Sequence, residues 1–576
     1  MQLKPKLVPV LAAAVAIGLS VLGLGGTASG GAASGGAASL SGFTPNKAAD
    51  EQLFVYRVPE RDARSANDLQ SRGFDLVEGR IGRDLLVLGN RATQERLTRL
   101  GYHATIHQTL TPASGGATTD VFDGGYRTVD EQYAHLTAVA AAKPNLAKVV
   151  TYGQSWRKLH GQPGYDLQAV CITKRVAGDC ALTPTAAKPR FLLMAQIHAR
   201  ELTTGDLAFR FVDDLVSRYN KDAEVTALLN STEVWVVPIA NPDGTDIVQQ
   251  GGSAPFLQRK NANDTVGSCP FPPTATSQAG VDLNRNAGFQ YGGLGSSTAP
   301  CSQTYKGVGA DSEPELSALE SLFGQLFADQ RGPALDDAAP TTTSGAMITL
   351  HSYSDLVLLP WGFTNAHAPN DAELRAMAFR LSFYNGYQTG QPGELLYNAS
   401  GTTDDWSYGT LGIASFTFEV GPTSGGCAGF TPPYSCQDST FWPLNRDALL
   451  YAAKAARAPF SLPLGPSAIL VKASGTGPFA LKATVDTARF GNAAGSVGRP
   501  TPRPVASAEY FVDTPPWAGG VGIPMTATDG TFDATAEAVK ATIGASLSSG
   551  RHLIYVRGTD DLGRTGPVTA AFLRVP

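Results

Sequence analysis

Between residues 124 and 460, apolar runs of strand length alternate with stretches in which apolar residues recur at helical spacing. Residues 129–142 read as a helix and 149–152 as a strand. Residues 191–196 form a strand pattern leading into a helix over 207–219, and 233–238, 346–350 and 414–420 read as further strands. This alternation implies an α/β domain with a mixed, largely parallel sheet and helices on both faces. Residues 50–110 carry a different α+β pattern, with strands at 54–58 and 85–88 and a helix at 92–100. From 468 to 576 only short alternating runs remain, such as 508–512 and 552–557, cut by Gly, Pro and Asp turns. They predict a β-sandwich accessory domain.

Low-complexity residues 29–49 and the Pro-, Ser-, Gly- and Thr-containing stretch 111–123 read as linkers. The unit between them, 50–110, is either an accessory domain or a pro-segment that covers an active site until the second linker is cut. At the start of the chain, Lys4 and Lys6 precede an apolar stretch over 7–24, and Gly26, Thr27 and Ala28 follow. This is the layout of a secretory signal over residues 1–28, and an uncleaved anchor is the competing reading. The six cysteines fall as three local pairs, Cys171 with Cys180, Cys269 with Cys301 and Cys427 with Cys436, with no Cys-x-x-Cys. In an exported protein an even count reads as disulfides, although six cysteines allow 15 connectivities. The net charge of −5 and the lack of a basic tract give no reason to expect nucleic acid as a partner. A monomer without membrane contact after signal cleavage is expected.

Three apolar strands end in groups that can do chemistry. The first ends at His198, with Glu201 three residues on; the second ends at His351, and the third at Glu419. One such end is ordinary where a strand emerges into solvent. Three together suit a site at the carboxyl ends of a parallel sheet. Two nitrogen ligands and one carboxylate, with a fourth position open to water, describe a catalytic zinc site.

The middle of the chain resembles the zinc metallocarboxypeptidase family that includes the pancreatic digestive enzymes. The resemblance runs in order through His198-Ala-Arg-Glu201, Asn241-Pro-Asp-Gly244, Gly280-Val-Asp-Leu-Asn-Arg-Asn286, His351-Ser-Tyr353, Tyr397-Asn-Ala-Ser-Gly401, Asp405-Trp-Ser-Tyr408 and Phe416-Thr-Phe-Glu419. It implies one Zn2+ ion held by His198, Glu201 and His351, with Asp282 orienting His198. Glu419 is implied as the base for the zinc-bound water and then the acid for the leaving amine, with Arg259 as the oxyanion stabiliser. Asn284 and Arg285 are implied to receive a free terminal carboxylate, with Tyr397 closing over the substrate and Arg200 in the substrate-binding set.

Tyr397 and Glu419 lie 22 positions apart, as in the digestive enzymes, which places Asp404 at the floor of the specificity pocket. An acidic floor implies a preference for C-terminal Lys or Arg, with some tolerance of apolar residues. The expected function is a secreted metallocarboxypeptidase acting on peptides and proteins with a free C-terminus. The alternatives are an amide hydrolase of the same fold acting on cell-wall peptides, and a non-catalytic binding protein. His160 lies in a loop that replaces a shorter turn of the family. His103, His107, His135, His367 and His552 fall outside every matched motif and read as structural.

Overall fold

Strands buried along their whole length must be covered on both faces, and four of them form the centre of this fold. The computed structural model describes residues 52–62, 64–110, 121–492 and 497–576. The signal over 1–28 and the linker over 29–49 lie outside the described residues, as does most of the 111–123 linker. Among the described residues no helix is long and apolar enough to cross a membrane.

The first unit contains β1 (Leu53–Val58), β2 (Asp75–Ile81), β3 (Asp84–Gly89) and β4 (Thr105–Leu110) in the antiparallel order β2-β3-β1-β4. Helices Ser65–Ser71 and Arg91–Arg99 connect them. The main sheet follows, made of β5 (Ala147–Gln154), β6 (Asp166–Ile172), β7 (Arg190–Ala195), β8 (Glu233–Val237), β9 (Ala346–His351), β10 (Leu356–Leu358), β11 (Gln388–Gly390) and β12 (Ala414–Glu419). Its order is β11-β10-β12-β9-β7-β8-β6-β5. The central four, β12, β9, β7 and β8, are mutually parallel, and antiparallel pairings flank them on both sides. The mixed, largely parallel sheet expected from the alternation is what forms.

All residues of β7, β8, β9 and β12 are buried. Phe191, Leu193 and Ala195 of β7 pack with Leu207 and Phe211 of helix Leu202–Arg218 and Leu449 of helix Trp442–Ala455. Leu192 and Met194 join Leu316 and Phe323 of helix Pro314–Leu326 in a second cluster. This alternation sandwiches the sheet between helices. The register pairs Ala195 with Leu350 and His351 with Glu419, so the carboxyl ends of β7, β9 and β12 come level.

The C-terminal region forms two four-stranded sheets that share one apolar core, including Leu481 and Val485 of strand Phe479–Asp486 and Val556 of strand Gly550–Asp560. The three cysteine pairs are disulfides as expected. Strand β2 and helix Ser65–Ser71 have no counterpart among the expected elements.

At the base of β7, the Arg190 guanidinium donates to Glu233 Oε2 at 2.7 Å, Ala181 O at 2.7 Å and Leu326 O at 2.8 Å. Glu233 is paired with Arg190 in the β7–β8 register and also accepts from the Cys180 amide and the Trp235 indole. Both charged side chains are fully buried. Arg190→Met leaves Glu233 charged without its partner, so equilibrium unfolding should show a loss of about 3–5 kcal/mol.

Candidate active site

After β7, Gln196 takes φ 49° and the chain turns sharply before helix Leu202–Arg218. Glu201 sits at the N-cap of that helix but does not cap it, and its carboxylate reaches the two histidines instead. His198 Nδ1 lies 2.9 Å from Glu201 Oε1 and 3.0 Å from His351 Nδ1, and His351 Nδ1 lies 3.3 Å from Glu201 Oε2. All three side chains are buried.

Asp282 holds this cluster in place from behind. His198 Nε2 donates to Asp282 Oδ1 at 3.2 Å, which fixes the tautomer with a lone pair on Nδ1. Asp282 Oδ2 accepts from Arg259 Nε at 3.1 Å. Burial opposes the charge of Asp282, yet Arg259, Arg285 and His198 hold its carboxyl well below the usual range. Glu201 behaves alike: burial works against its charge, and His198 and His351 outweigh burial.

Two imidazole nitrogens and a carboxylate oxygen, within 4.8 Å of one another, form a donor set that suits zinc. Cys171, Cys180 and Glu233 also lie close together, but their sulfurs are joined in a disulfide and offer no thiolate. The residues at the strand ends therefore fit a catalytic metal.

Glu419, Asn284, Arg285, Tyr397, Asp404 and Arg259 line one cavity together with His198 and His351. Glu419 Oε2 is buried without a hydrogen-bond partner. Burial, then the nearby charges of Glu78 and Glu201, push the Glu419 carboxyl well above its ordinary range. Arg285 donates to the carbonyl oxygens of Gly295 and Asn284, at 2.8 Å and 2.7 Å, and has no carboxylate partner among the described residues. Asn284 Oδ1 is occupied by the Thr403 amide at 3.0 Å and the Thr403 hydroxyl at 3.2 Å, which orients the side-chain amide. Asp404 Oδ2 accepts from Thr417 Oγ1 at 3.1 Å.

The remaining expected residue, Arg200, does not line this cavity. It is fully buried, forms a two-pronged bond to Asp75 at 2.7 Å and 3.2 Å, and lies 4.0 Å over the ring of Phe430. Phe430 sits in the loop pinned by Cys427–Cys436. A second carboxylate from the same strand, Glu78, accepts from Arg259 Nη1 at 2.6 Å and lines the cavity. Asp75 and Glu78 belong to β2 and were missed by sequence reasoning. The acids Asp75 and Glu78 flanking Leu76 and Val77 are the only signal that the stretch offers. Strict alternation would turn residues 75 and 78 to opposite faces, but the β2–β3 register slips between Leu76 and Arg80. The cavity beside Glu78 has a volume of about 50 Å³, room for a water or two.

Because Asp282 sets the His198 tautomer, Asp282→Asn should weaken zinc binding by about 10–100-fold without unfolding the protein. Competition with a chromogenic chelator measures this, and unchanged affinity would refute the orienting role.

A family model described as zinc carboxypeptidase matches residues 132–443. Carboxypeptidase A2 of Mus musculus is 32% identical over 319 residues, covering 54% of this chain and 65% of that protein. Carboxypeptidase A2 of Rattus norvegicus is 30% identical over 308 residues, covering 52% of this chain and 63% of that one. The chain thus spans less than two thirds of the length of these relatives. The solved carboxypeptidase A from Helicoverpa armigera shares the fold, with a TM-score of 0.55 at 20% identity over 71% of this chain and 98% of that one. With a family model matched over more than half its length and the ligand cluster inside the matched segment, the chain belongs to the zinc carboxypeptidase family.

Proposed function

We propose that this protein is a secreted zinc metallocarboxypeptidase, made as a precursor, that removes C-terminal residues from peptides and proteins and favours Lys and Arg. The observation that carries this reading is Arg285, a cavity-lining guanidinium with no carboxylate partner among the described residues, placed beside Asn284 and in the same cavity as Glu419 and the two histidines. A planar guanidinium fork suits a terminal carboxylate. His198, Glu201 and His351 would hold zinc, which when bound would supply Lewis acidity for the scissile carbonyl and for a water near neutral pH.

The chain's own residues do the rest. Arg285 and Asn284 fix the substrate's end, and Tyr397 closes the cavity over it. Glu419 takes a proton from the attacking water and returns it to the leaving amine, a role that its Oε2, buried in the cavity without a hydrogen-bond partner among the described residues, is free to perform. Arg259 supplies hydrogen bonds to the oxyanion once Glu78 has left it. Asp404, in the same cavity, provides the negative charge for a Lys or Arg side chain.

Residues 50–110 act as the pro-segment in this reading. Glu78 occupies the oxyanion arginine, Asp75 occupies Arg200, and Leu76 packs in one cluster with Leu356, Leu358, Leu396 and Tyr397. A substrate residue does not fit in the space that remains.

Steady-state kinetics on blocked peptides ending in Arg, Lys, Phe and Leu test the activity. Arg and Lys should exceed Leu in kcat/KM, Asp404→Ala should abolish that preference, and a chelator should stop all turnover. Glu419→Gln should retain zinc and lose about 10²–10⁴-fold in kcat. Near-normal turnover in Glu419→Gln would overturn the base assignment, and equal rates on Arg and Leu would overturn the preference.

The precursor should be inactive until cut between residues 111 and 123, and Glu78→Ala should give the uncut chain measurable activity. N-terminal sequencing of the active form should begin in that linker. Full activity in a form that begins near residue 29 would rule the pro-segment role out.

A further inference from the structure

A second cavity, of about 350 Å³, opens where the β-sandwich meets the α/β domain, and none of its lining residues belongs to the first. Helices Ala223–Ser231 and Trp442–Ala455 approach it from one side, and Phe511, Trp517 and Val568 of the sandwich from the other. Its size lies within the range of small-molecule sites, and domain seams are a common place for them.

The charges of this cleft do not balance. Lys454 pairs with Glu224 at 2.5 Å, and Arg557 pairs with Glu509. Glu224 also accepts from the Ala570 amide, so both carboxylates are engaged. Arg457 is the third cation and has no carboxylate partner among the described residues. Its Nη2 donates to the Ser231 carbonyl at 3.0 Å, and its guanidinium stacks 4.2 Å over the Trp517 ring. Burial lowers its pKa to about 10, which still leaves it charged at neutral pH. Phe511, Leu462 and Val568 add apolar surface to this charged lining.

We propose that this cleft binds a small organic anion, its carboxylate on Arg457 and an aromatic or branched apolar body against Trp517 and Phe511. A partly desolvated guanidinium without a counter-charge gains most from a ligand that restores one, and its fork matches a carboxylate. Phe511, Leu462 and Val568 accept the body of such a ligand, beside the Trp517 ring on which Arg457 stacks. The volume suits a free acid of one or two rings better than a peptide chain.

Calorimetric titration of the intact precursor with 2-naphthoate tests this, using a chain that carries Arg285→Ala so that the carboxylate site of the first cavity is silent. Saturable binding at one site is expected. Arg457→Gln should weaken it by about tenfold or more, Trp517→Leu should weaken it too, and the uncharged 2-naphthamide should bind the parent about tenfold more weakly. Thermal melting confirms that each variant is folded, and the comparison of acid with amide decides the matter even where a variant is not. No binding of 2-naphthoate, equal binding of the amide, or unchanged affinity in folded Arg457→Gln would overturn the proposal. Tighter binding of acetyl-Gly-Gly-Phe than of 2-naphthoate would overturn the assignment to a small molecule.

Discussion

In β7, β9 and β12 each residue faces one of two helix-covered sides, so a slip of one position would exchange every side chain between two differently shaped cores. That constraint fixes the register, and the register places the strand ends side by side. His198, His351 and Glu419 meet because the apolar residues behind them can pack in only one alignment. The site is a consequence of core packing far more than of any contact among its own members. Those contacts cost free energy, since they gather two imidazoles and several carboxylates out of water.

Asp282 makes that gathering tolerable. One carboxylate oxygen serves His198 and the other serves Arg259, so a ligand and a positive group are held by a single side chain. Asp282 caps a short turn over Leu283–Arg285, which puts the cavity-lining pair Asn284 and Arg285 directly after it in the chain. The surrounding segment, from Phe256 to Tyr305, has almost no regular structure, and Cys269–Cys301 closes it. Precision there comes from side-chain bonds and a crosslink, with no strand or long helix to supply it.

The interiors of the fully buried strands are dominated by apolar residues, so a His or Glu at the end of one stands out in the sequence. That is why the sheet and the meeting of His198, His351 and Glu419 at its strand ends were legible. Arg285 and Asn284 were legible only through their resemblance to a known motif. Strand β2 was not, because Asp75, Glu78, Gly79 and Arg80 break its alternation and its register slips. Its partners Arg200 and Arg259 are also 125 and 181 positions away in the chain, a distance no local pattern spans. The cleft at Arg457 was hidden for the same reason: it exists only where two domains meet.

Asp75 and Glu78 are carried on one strand, and the strand's neighbours are packed into the apolar surface below. The two ion pairs therefore act as a bivalent clamp. When one opens, the strand keeps its carboxylate close to the arginine it left, and re-closure is an intramolecular event at high effective concentration. Departure requires both to be open at once, together with the loss of the apolar contact around Leu76. In the proposed precursor, cutting the connecting chain would remove the tether but leave the clamp shut. Residence time on the site, set by that simultaneous opening, then becomes a property of the severed segment itself.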